Sequence, residues 1–415
     1  MGFLRTSTAL GCAAALSLAA ACGSERQEAT TLRGAVAKVP AADPRPYAAA
    51  DSAFGLNLLK AWCGKEPTAN VVLSPSSLSS GLGMVQLGAR GQTATAMVRT
   101  LALPAGDPVA GLHARNQAFK SFGGKDVTFT TTDQVWSDRR FKPDQAYLDK
   151  VATAYDAGLK LLDITGDPEG ARQTINDAVK KATGGQIGDL LPSGTVNKST
   201  GWVLTDAVYL KAKWATPFKK SSTAPRSFTT AAGQKIDTDM MSRAGMFGYA
   251  RTKGWTAVDL PYSGGRLSMT ALLPDTARGG CPGLDAGTLQ EVTGALKPAD
   301  IELHLPKAKL KSKADMKPLL TDLGMGAAFS DQADLTGIST DAKKIQFVRH
   351  AATLLVDEKG TEAAAATGTG IGVTSAPPEP GMKVVFDRPY LMLVRDTKTG
   401  EPLFLARVAD PTKQS

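Results

Sequence analysis

The sequence contains few of the residues on which metal and redox sites depend. Its 415 residues include four cysteines and three histidines. Cys12 and Cys22 fall in an apolar N-terminal segment, which leaves only Cys63 and Cys281 in the rest of the chain. A structural zinc site usually needs four cysteine or histidine ligands. We therefore expect no metal site, and no feature of the sequence predicts a cofactor.

Recognisable catalytic motifs are missing as well. The chain has no G-x-S-x-G elbow, no phosphate-binding loop and no H-E-x-x-H pair. A serine–histidine–aspartate triad could use only His113, His304 or His350 as its base. His350 lies within an apolar, strand-like run, where a buried structural histidine is the simpler interpretation. The sequence therefore does not indicate an enzyme.

The overall charge does not indicate a nucleic-acid partner. Hydrophobic residues make up 42% of the chain and charged residues 21%, which is ordinary for a globular protein. The 48 lysines and arginines exceed the 39 acidic residues, and the net charge is +9. This excess is spread along the chain instead of forming a basic run with interleaved aromatic residues. We predict no nucleic-acid binding.

The first 22 residues have the pattern of an export signal. Arg5 precedes a mostly apolar run that is too short to span a bilayer comfortably, and alanines precede Cys22. A cysteine after small residues resembles the lipid-attachment site of a bacterial lipoprotein, although Ala19 stands where such sites usually carry leucine. Simple secretion, with cleavage among the alanines, is the alternative. Both predict an extracellular or cell-surface protein, with membrane contact only through a lipid on Cys22.

The body of the chain, residues 46–415, is predicted to form one domain. Residues 23–45 are polar and are predicted to form a flexible tether. Helical patterns dominate the front of the body and strand patterns the back, which predicts an α+β fold. In an exported protein, Cys63 and Cys281 can form a disulfide or remain two buried thiols, and the sequence leaves both interpretations open.

One segment near the C-terminus has an unusual composition. Residues 357–381 read DEKGTEAAAATGTGIGVTSAPPEPG, and from Thr367 to residue 373 β-branched residues alternate with glycine. On a strand, these β-branched side chains would share one face. The alanines just before them favour a helix locally. The segment could therefore become a strand if flanking strands were supplied, and a low-complexity linker is the alternative.

Several motifs, in order along the chain, resemble those of the serpin family. The similarity runs from about Tyr47 to Pro411. Its motifs are residues 70–78 (NVVLSPSSL), 205–214 (TDAVYLKAKW), 304–307 (HLPK), 333–337 (ADLTG), 357–366 (DEKGTEAAAA), 387–390 (DRPY) and 402–405 (PLFL). Each motif alone is moderate evidence, and the ordered set is specific.

The resemblance implies an α+β fold of three β-sheets and about nine helices, with an exposed reactive loop at about residues 358–381. It also implies suicide inhibition of a serine protease. The protease cleaves the loop and is held as an acyl-enzyme, while the freed loop inserts as a new strand in the main sheet. The alternative is a non-inhibitory serpin that acts as a protease substrate or a binding protein.

The composition of the loop favours inhibition over that alternative. The residues that would face the core after insertion carry no charge: Thr361, Ala363, Ala365, Thr367, Thr369, Ile371 and Val373. An unpaired charge on this face would cost several kcal/mol to bury. The resemblance assigns the hinge of the loop to Glu358, Gly360, Thr361, Glu362, Ala363, Ala364, Ala365 and Ala366.

The resemblance also places the cleaved bond between Thr374 and Ser375. The neighbouring bonds Val373–Thr374 and Ser375–Ala376 are alternatives. Small and β-branched residues on either side suit a shallow protease pocket. We therefore predict an elastase-like or subtilisin-like serine protease as the partner of a monomeric inhibitor.

Two further groups of residues follow from the resemblance. Ser74, Ser77 and His350 match a buried polar cluster beneath the opening sheet, and Asp206 stands there where the family usually has asparagine. A carboxylate beside His350 predicts a charged pair and a pH-sensitive opening of the sheet. Lys307 and Glu358 match a salt bridge at the top of the sheet beside Trp214. Two solvated charges that contribute little are the alternative.

Overall fold

Two β-sheets and the helices packed around them make up the protein, which is described here by a computed structural model. The structure describes residues 27–276, 281, 283–361 and 382–414. The helices of these ranges are α1 (Arg45–Lys65), α2 (Pro75–Gln86), α3 (Gly91–Thr100), α4 (Val109–Lys120), α5 (Gln145–Tyr155), α6 (Pro168–Ala182), α7 (Ala286–Gly294) and α8 (Lys317–Leu320).

The first five strands have three to five residues each, and most of the later strands are longer. They are β1 (Thr30–Leu32), β2 (Val71–Leu73), β3 (Val127–Thr131), β4 (Gln134–Asp138), β5 (Leu159–Leu162), β6 (Trp202–Lys213), β7 (Thr223–Thr229), β8 (Lys235–Thr252), β9 (Trp255–Pro261), β10 (Leu267–Pro274), β11 (Lys297–Pro306), β12 (Ala308–Asp315), β13 (Val348–Asp357), β14 (Gly360–Thr361), β15 (Lys383–Val385), β16 (Tyr390–Asp396) and β17 (Pro402–Val408).

The first sheet has eight strands and is divided along part of its centre. Its order is β1-β5-β4-β6-β14-β13-β12, and β3 also pairs with β6. Strands β6 and β13 run parallel and pair from Leu204 and Val348 to Val208 and Ala352. Beyond these residues the two strands separate, and the two-residue strand β14 lies between them. We call the region between β6 and β13 beyond Val208 and Ala352 the split.

The second sheet has nine strands. Its order is β15-β11-β8-β9-β10-β16-β17-β2, and β7 also pairs with β8. The 18-residue strand β8 pairs with β7 at its start and with β9 at its end. Strand β8 therefore joins two groups of strands into one continuous sheet. The described residues form two hydrogen-bonded sheets, where three were predicted. The α+β fold class is confirmed, with eight α-helices in the described ranges where about nine were predicted.

Local sequence explains where the helices nearest the split begin. Ser74 precedes α2, and its hydroxyl accepts a hydrogen bond from the N–H of Ser77 at 3.2 Å, while Pro75 occupies the first turn. Helix α2 contacts β6 and also packs against α5, where a glycine allows close approach. A Cβ on Gly83 would lie 2.1 Å from the hydroxyl of Tyr155. These features hold the start of α2 directly beneath the first sheet.

Two large apolar clusters stabilise this arrangement. One lies among the helices and includes Phe54, Leu58 and Leu82, all fully buried. The other lies between the two sheets and includes Leu210 of β6 and Phe404 of β17. Burying one such side chain contributes about 1.5–3 kcal/mol. The sheets are therefore fixed to each other through their inner faces, and the split opens over this shared core.

The predicted flexible tether over residues 23–45 needs correction from Gln27 onward. Strand β1 pairs with β5 at the edge of the first sheet. The side-chain amide of Gln27 donates to the backbone oxygens of Asp163 and Asp167 at 3.1 and 2.9 Å, and its oxygen accepts the N–H of Asp163 at 2.8 Å. A three-residue strand and one glutamine produce no periodic pattern, so composition alone suggested a tether.

Cys63 and Cys281 form a disulfide, which resolves the two interpretations that the sequence left open. The bond joins the last turn of α1 to the segment before α7, with a Cα–Cα distance of 5.7 Å. The two cysteines are 218 residues apart in sequence. In the chain-entropy description, a cross-link over such a long loop stabilises the fold by roughly 5 kcal/mol.

Candidate functional site

The split between β6 and β13 brings together most of the described residues that the sequence singled out. At its upper end, Thr361 of β14 pairs with Ala212 of β6 and with Val356 of β13. The parallel ladder ends four residues lower on each strand, at Val208 and Ala352. An extended segment that continued from Thr361 would therefore pass three residues of each strand before it reached the closed ladder.

The position of β14 depends on glycine at position 360. Gly360 has φ +150°, and a Cβ there would lie 2.0 Å from the carbonyl oxygen of Ala212. No other residue type fits without moving the strand. Thr361 is fully buried, and its hydroxyl forms a 2.7 Å hydrogen bond with the hydroxyl of Tyr262. Backbone pairing and one buried hydroxyl pair therefore hold β14 in the split.

Trp214 closes the upper end from the side of β6. Its ring stacks on Tyr262 with centroids 4.6 Å apart. Its indole N–H donates to the backbone oxygen of Asp357 at 2.9 Å, and its backbone N–H donates to that of Lys359 at 2.9 Å. The turn that leads into β14 is thus fastened to the end of β6.

Lys307 and Glu358 lie together, as the resemblance implies. The Lys307 ammonium is 3.4 Å from Glu358 Oε1, and the Thr223 hydroxyl donates to the same oxygen at 2.8 Å. Burial opposes ionisation of Glu358, whose side chain is 12% exposed. The hydrogen bonds from its own N–H and from Thr223, together with Lys307, outweigh burial and hold its pKa below the usual range. Glu358 is therefore not a solvated surface charge.

The lower end of the split contains the predicted polar cluster. His350 and Asp206 pair across the ladder, and both side chains are buried. Nδ1 of His350 is hydrogen-bonded to Oδ1 of Asp206, and the backbone N–H of Ser74 donates to Nε2 at 3.3 Å. Because a backbone N–H can only donate, Nε2 accepts and the imidazole proton lies on Nδ1. The predicted charged pair is instead a neutral histidine that donates to a carboxylate.

Asp133, in the turn between β3 and β4, completes this cluster and was not predicted. The hydroxyl of Ser77 donates to Asp133 Oδ1 at 2.5 Å, so Ser77 contacts Asp133 while Ser74 contacts the histidine. The turn brings Asp133 opposite Asp206, because Thr131 pairs with Val208 and Gln134 pairs with Thr205. Burial, followed by the charge of Asp206, raises the pKa of Asp133 well above its usual range. An isolated aspartate between two strands has the sequence pattern of an ordinary turn residue, so nothing in the sequence pointed to it.

The remaining predicted site residues lie outside the described ranges. They are Glu362, Ala363, Ala364, Ala365 and Ala366 of the hinge, Thr374 and Ser375 of the cleaved bond, and Cys22 of the lipid-attachment site. Where the chain is described, no helix is long and apolar enough to cross a bilayer. Within the same ranges, no three cysteine, histidine or carboxylate side chains are grouped so that they could hold a metal ion.

Comparison with known proteins identifies the family. A family model described as Serpin (serine protease inhibitor) matches residues 49–411. The chain belongs to the serpin family. The bovine leukocyte elastase inhibitor (Bos taurus) is 33% identical over 376 residues, which cover 88% of this chain and 99% of that protein.

Solved serpin structures share the fold. The native thermophilic serpin tengpin is 23% identical, with a TM-score of 0.80 over 92% of this chain and 100% of that one. Human thyroxine-binding globulin in complex with thyroxine is 26% identical, with a TM-score of 0.78 over 90% of this chain and 100% of that one. The split of this serpin therefore lies in a fold that proteins of different function share.

Proposed function

We propose that this serpin is an exported bacterial inhibitor of serine proteases, and that it traps its target by inserting the reactive loop into the split. The observation that carries this proposal is the position of β14. Two hinge residues, Gly360 and Thr361, already pair with both β6 and β13. A strand that continued from Thr361 would be antiparallel to both neighbours.

The register of β14 defines what an inserted loop would contact. Continuing it residue by residue, Ala365 would lie between Val208 and Ala352, the last pair of the closed ladder. Insertion beyond Ala364 therefore requires β6 and β13 to separate. Val208 and Ala352 are fully buried, so a small apolar residue at position 365 fits the space that separation would create.

The same register relates the loop to the polar cluster at the lower end. Thr367 would lie between Asp206 and His350. Insertion would break the hydrogen bond between these two side chains and bring the hydroxyl of Thr367, a donor and an acceptor, into its place. The buried polar groups could then remain paired when the strands separate.

The proposed reaction begins as proteolysis and stops halfway. The serine hydroxyl of the protease attacks the carbonyl carbon of Thr374, and its proton passes through the protease histidine to the nitrogen of Ser375. The C–N bond breaks, and Thr374 remains esterified to the protease. Insertion of residues 362–374 then gives the loop two new backbone ladders, each hydrogen bond contributing about 0.5–1.5 kcal/mol. In this scheme the serpin is a trapped substrate and not an enzyme.

Two observations support the finer parts of the proposal. Small residues around the cleaved bond suit an elastase-like or subtilisin-like protease, and the bovine relative is named for leukocyte elastase. The disulfide between Cys63 and Cys281 fits an oxidising compartment, and therefore export. A lipid on Cys22 would then anchor a monomer to the cell surface.

Incubation with elastase and with subtilisin tests the proposal. We expect a covalent complex that survives SDS, and a C-terminal fragment whose first residue is Ser375. Cleavage without such a complex would indicate the alternative, a serpin that acts only as a substrate or a binding protein.

A matched pair of loop variants tests the insertion step itself. Ala365→Glu places a charge between Val208 and Ala352 in the inserted register, so we expect cleavage without a stable complex. Ala364→Glu adds the same charge one residue earlier, on the opposite face, beside the half-exposed Tyr209. We expect this control to form the complex. Equal complex formation by both variants would contradict insertion in this register.

A further inference from the structure

We propose that Asp133 is a positioning residue for loop insertion, because it shares one proton with Asp206 and this proton keeps the lower end of the split closed. The inference rests on the proposed function only in linking closure to loop insertion. Asp133 belongs neither to the predicted cluster nor to the hinge. Its neighbours are Ser77 at the start of α2 and Asp206 of β6, which in turn contacts His350 of β13.

The hydrogen-bond donors of the cluster leave one acceptor without a partner. Oδ1 of Asp206 accepts from His350 Nδ1. Among the described residues, no amide, amine or hydroxyl donates to Oδ2 of Asp206, although this atom is buried. Asp133 lies opposite Asp206, because its turn joins Thr131, which pairs with Val208, to Gln134, which pairs with Thr205. A protonated Asp133 supplies the missing donor, whereas two carboxylates in contact would repel each other.

With this proton in place, the hydrogen bonds form a continuous chain. The Ser77 hydroxyl donates to Asp133, Asp133 donates to Asp206, His350 donates to Asp206, and the Ser74 N–H donates to His350. The chain begins and ends at the start of α2 and crosses from β6 to β13. It therefore spans the boundary at which the sheet must open.

The other charged and titratable groups that face Asp133 do not provide a counter-ion at the cluster. Arg115 of α4 is buried, but its guanidinium is committed to Asp51 at 2.6 Å and to Ser79 and Ser80. Tyr155 of α5 and Lys160 of β5 line the same cavity as Asp133, which has a volume of about 300 Å³. This cavity gives water, and therefore protons, access to the carboxyl of Asp133.

The sign of the expected pH effect follows from the direction of the shift. Because burial and Asp206 raise the pKa of Asp133 in the folded protein, its contribution to stability is complete below the ordinary range of an aspartate. This contribution is lost as the pH rises through the raised value. Deprotonation puts a second negative charge beside Asp206, so raising the pH should ease separation of β6 and β13.

Uptake of a synthetic peptide with the sequence of residues 361–374 measures this opening without a protease. For the uncleaved full-length chain, we expect the rate of uptake to rise with pH, by up to about tenfold per pH unit, the limit for loss of one proton. Asp133→Asn keeps the shape and removes the titration, so its profile should lose this rise. Asp237→Asn makes the same change of charge on the exposed start of β8 and should retain it.

A second variant and a direct measurement guard against misfolding of the first. In Asp206→Asn the neighbouring charge is gone, so the rise in uptake should move to lower pH. Infrared difference spectra should show a protonated carboxyl band in the wild type at neutral pH that is absent in Asp133→Asn. Absence of this band from the wild type, or the same uptake profile in wild type and Asp133→Asn, would overturn the inference.

The outcomes separate this inference from the proposed function. If proteases form SDS-stable complexes but Asp133→Asn leaves the pH profile unchanged, the inference fails and the inhibitor function stands. If the profile changes as expected but no protease is trapped, the inhibitor function fails and the shared proton stands.

Discussion

The two ends of the split are closed by different kinds of interaction. The upper end, formed by Trp214, Tyr262, Glu358, Gly360 and Thr361, is held by backbone pairing, ring stacking and a hydroxyl pair. The lower end, formed by Ser74, Ser77, Asp133, Asp206 and His350, is held by a chain of buried side-chain hydrogen bonds.

This difference means that the closing of the split depends on steric fit at one end and on protonation at the other. The upper end depends on geometry, because a Cβ at position 360 would overlap the backbone of β6. The lower end depends on protonation, because one of its two carboxyls is kept neutral. Four substitutions, taken from the largest expected effect to the smallest, test this comparison.

Removing the histidine should have the largest effect. His350→Ala deletes the donor to the buried Asp206 carboxylate, and leaving a buried charged acceptor without its donor costs about 3 kcal/mol or more. Urea unfolding at neutral pH should show this loss. In the double variant with Asp206→Asn the charge is gone, so we expect part of the stability to return. A loss below about 1 kcal/mol for His350→Ala would mean that the lower end does not depend on this contact.

Changing the glycine of β14 should have the next largest effect. Gly360→Ala introduces an unfavourable backbone conformation and an overlap with the Ala212 carbonyl, with an expected cost of about 2–3 kcal/mol. Gly400→Ala is the matched control, since Gly400 also has a positive φ but no atom near the position of its Cβ. It should cost about 1 kcal/mol. If both variants lost the same stability, overlap with the Ala212 carbonyl would not be the reason for glycine at position 360.

Removing the hydroxyl of Tyr262 should have a smaller effect. Tyr262→Phe keeps the stack on Trp214 but leaves the buried hydroxyl of Thr361 without its partner, at an expected cost of about 1–2 kcal/mol. The loss should be the same from pH 5 to pH 8, because neither hydroxyl ionises there. A loss that changed with pH over this range would show that this hydroxyl pair is coupled to a titrating group.

The smallest effect is expected for the ion pair at the top of the sheet. Lys307→Met should cost about 0.5–1 kcal/mol, because Lys307 is partly exposed. The folded pKa of Glu358 lies below its usual value, so the contribution of the pair is present above the ordinary glutamate range and is lost as the pH falls.

The pH dependence of this last variant sharpens the comparison. The stability that Lys307 contributes, measured against Lys307→Met, should shrink as the pH falls. The stability that Asp133 contributes, measured against Asp133→Asn, should shrink as the pH rises. Thermal unfolding of both variants across pH 4–9 measures the two trends. The same direction of change in both would show that the two ends do not differ in the proposed way.

The sequence predicted those parts of the fold and site that have a local pattern. The helix start at Ser74 has a capping hydroxyl and a proline, and many strands of the second half are short apolar runs. Lys307 and Glu358 belong to family motifs that lie far apart in the chain, and the resemblance correctly predicted that they lie together. The protonation of His350 could not be obtained in this way, because it depends on a backbone N–H that arrives from α2.

The residues that escaped prediction act through contacts that sequence does not encode locally. Asp133 acquires its raised pKa through burial and the charge of Asp206, and both depend on the meeting of β3, β4 and β6. Gln27 is an ordinary polar residue until β1 reaches the edge of the sheet. The bond between Cys63 and Cys281 likewise depends on a meeting of distant segments.

The disulfide also closes part of the chain into a covalent ring. This ring contains β6 but not β13, so only one of the two strands that border the split belongs to it. A cut between Thr374 and Ser375 falls outside the ring. The piece after the cut contains β16 and β17, whose buried side chains hold it in the second sheet without any covalent link. The cleaved protein should therefore remain one particle in native buffer and separate into two chains only when it is denatured.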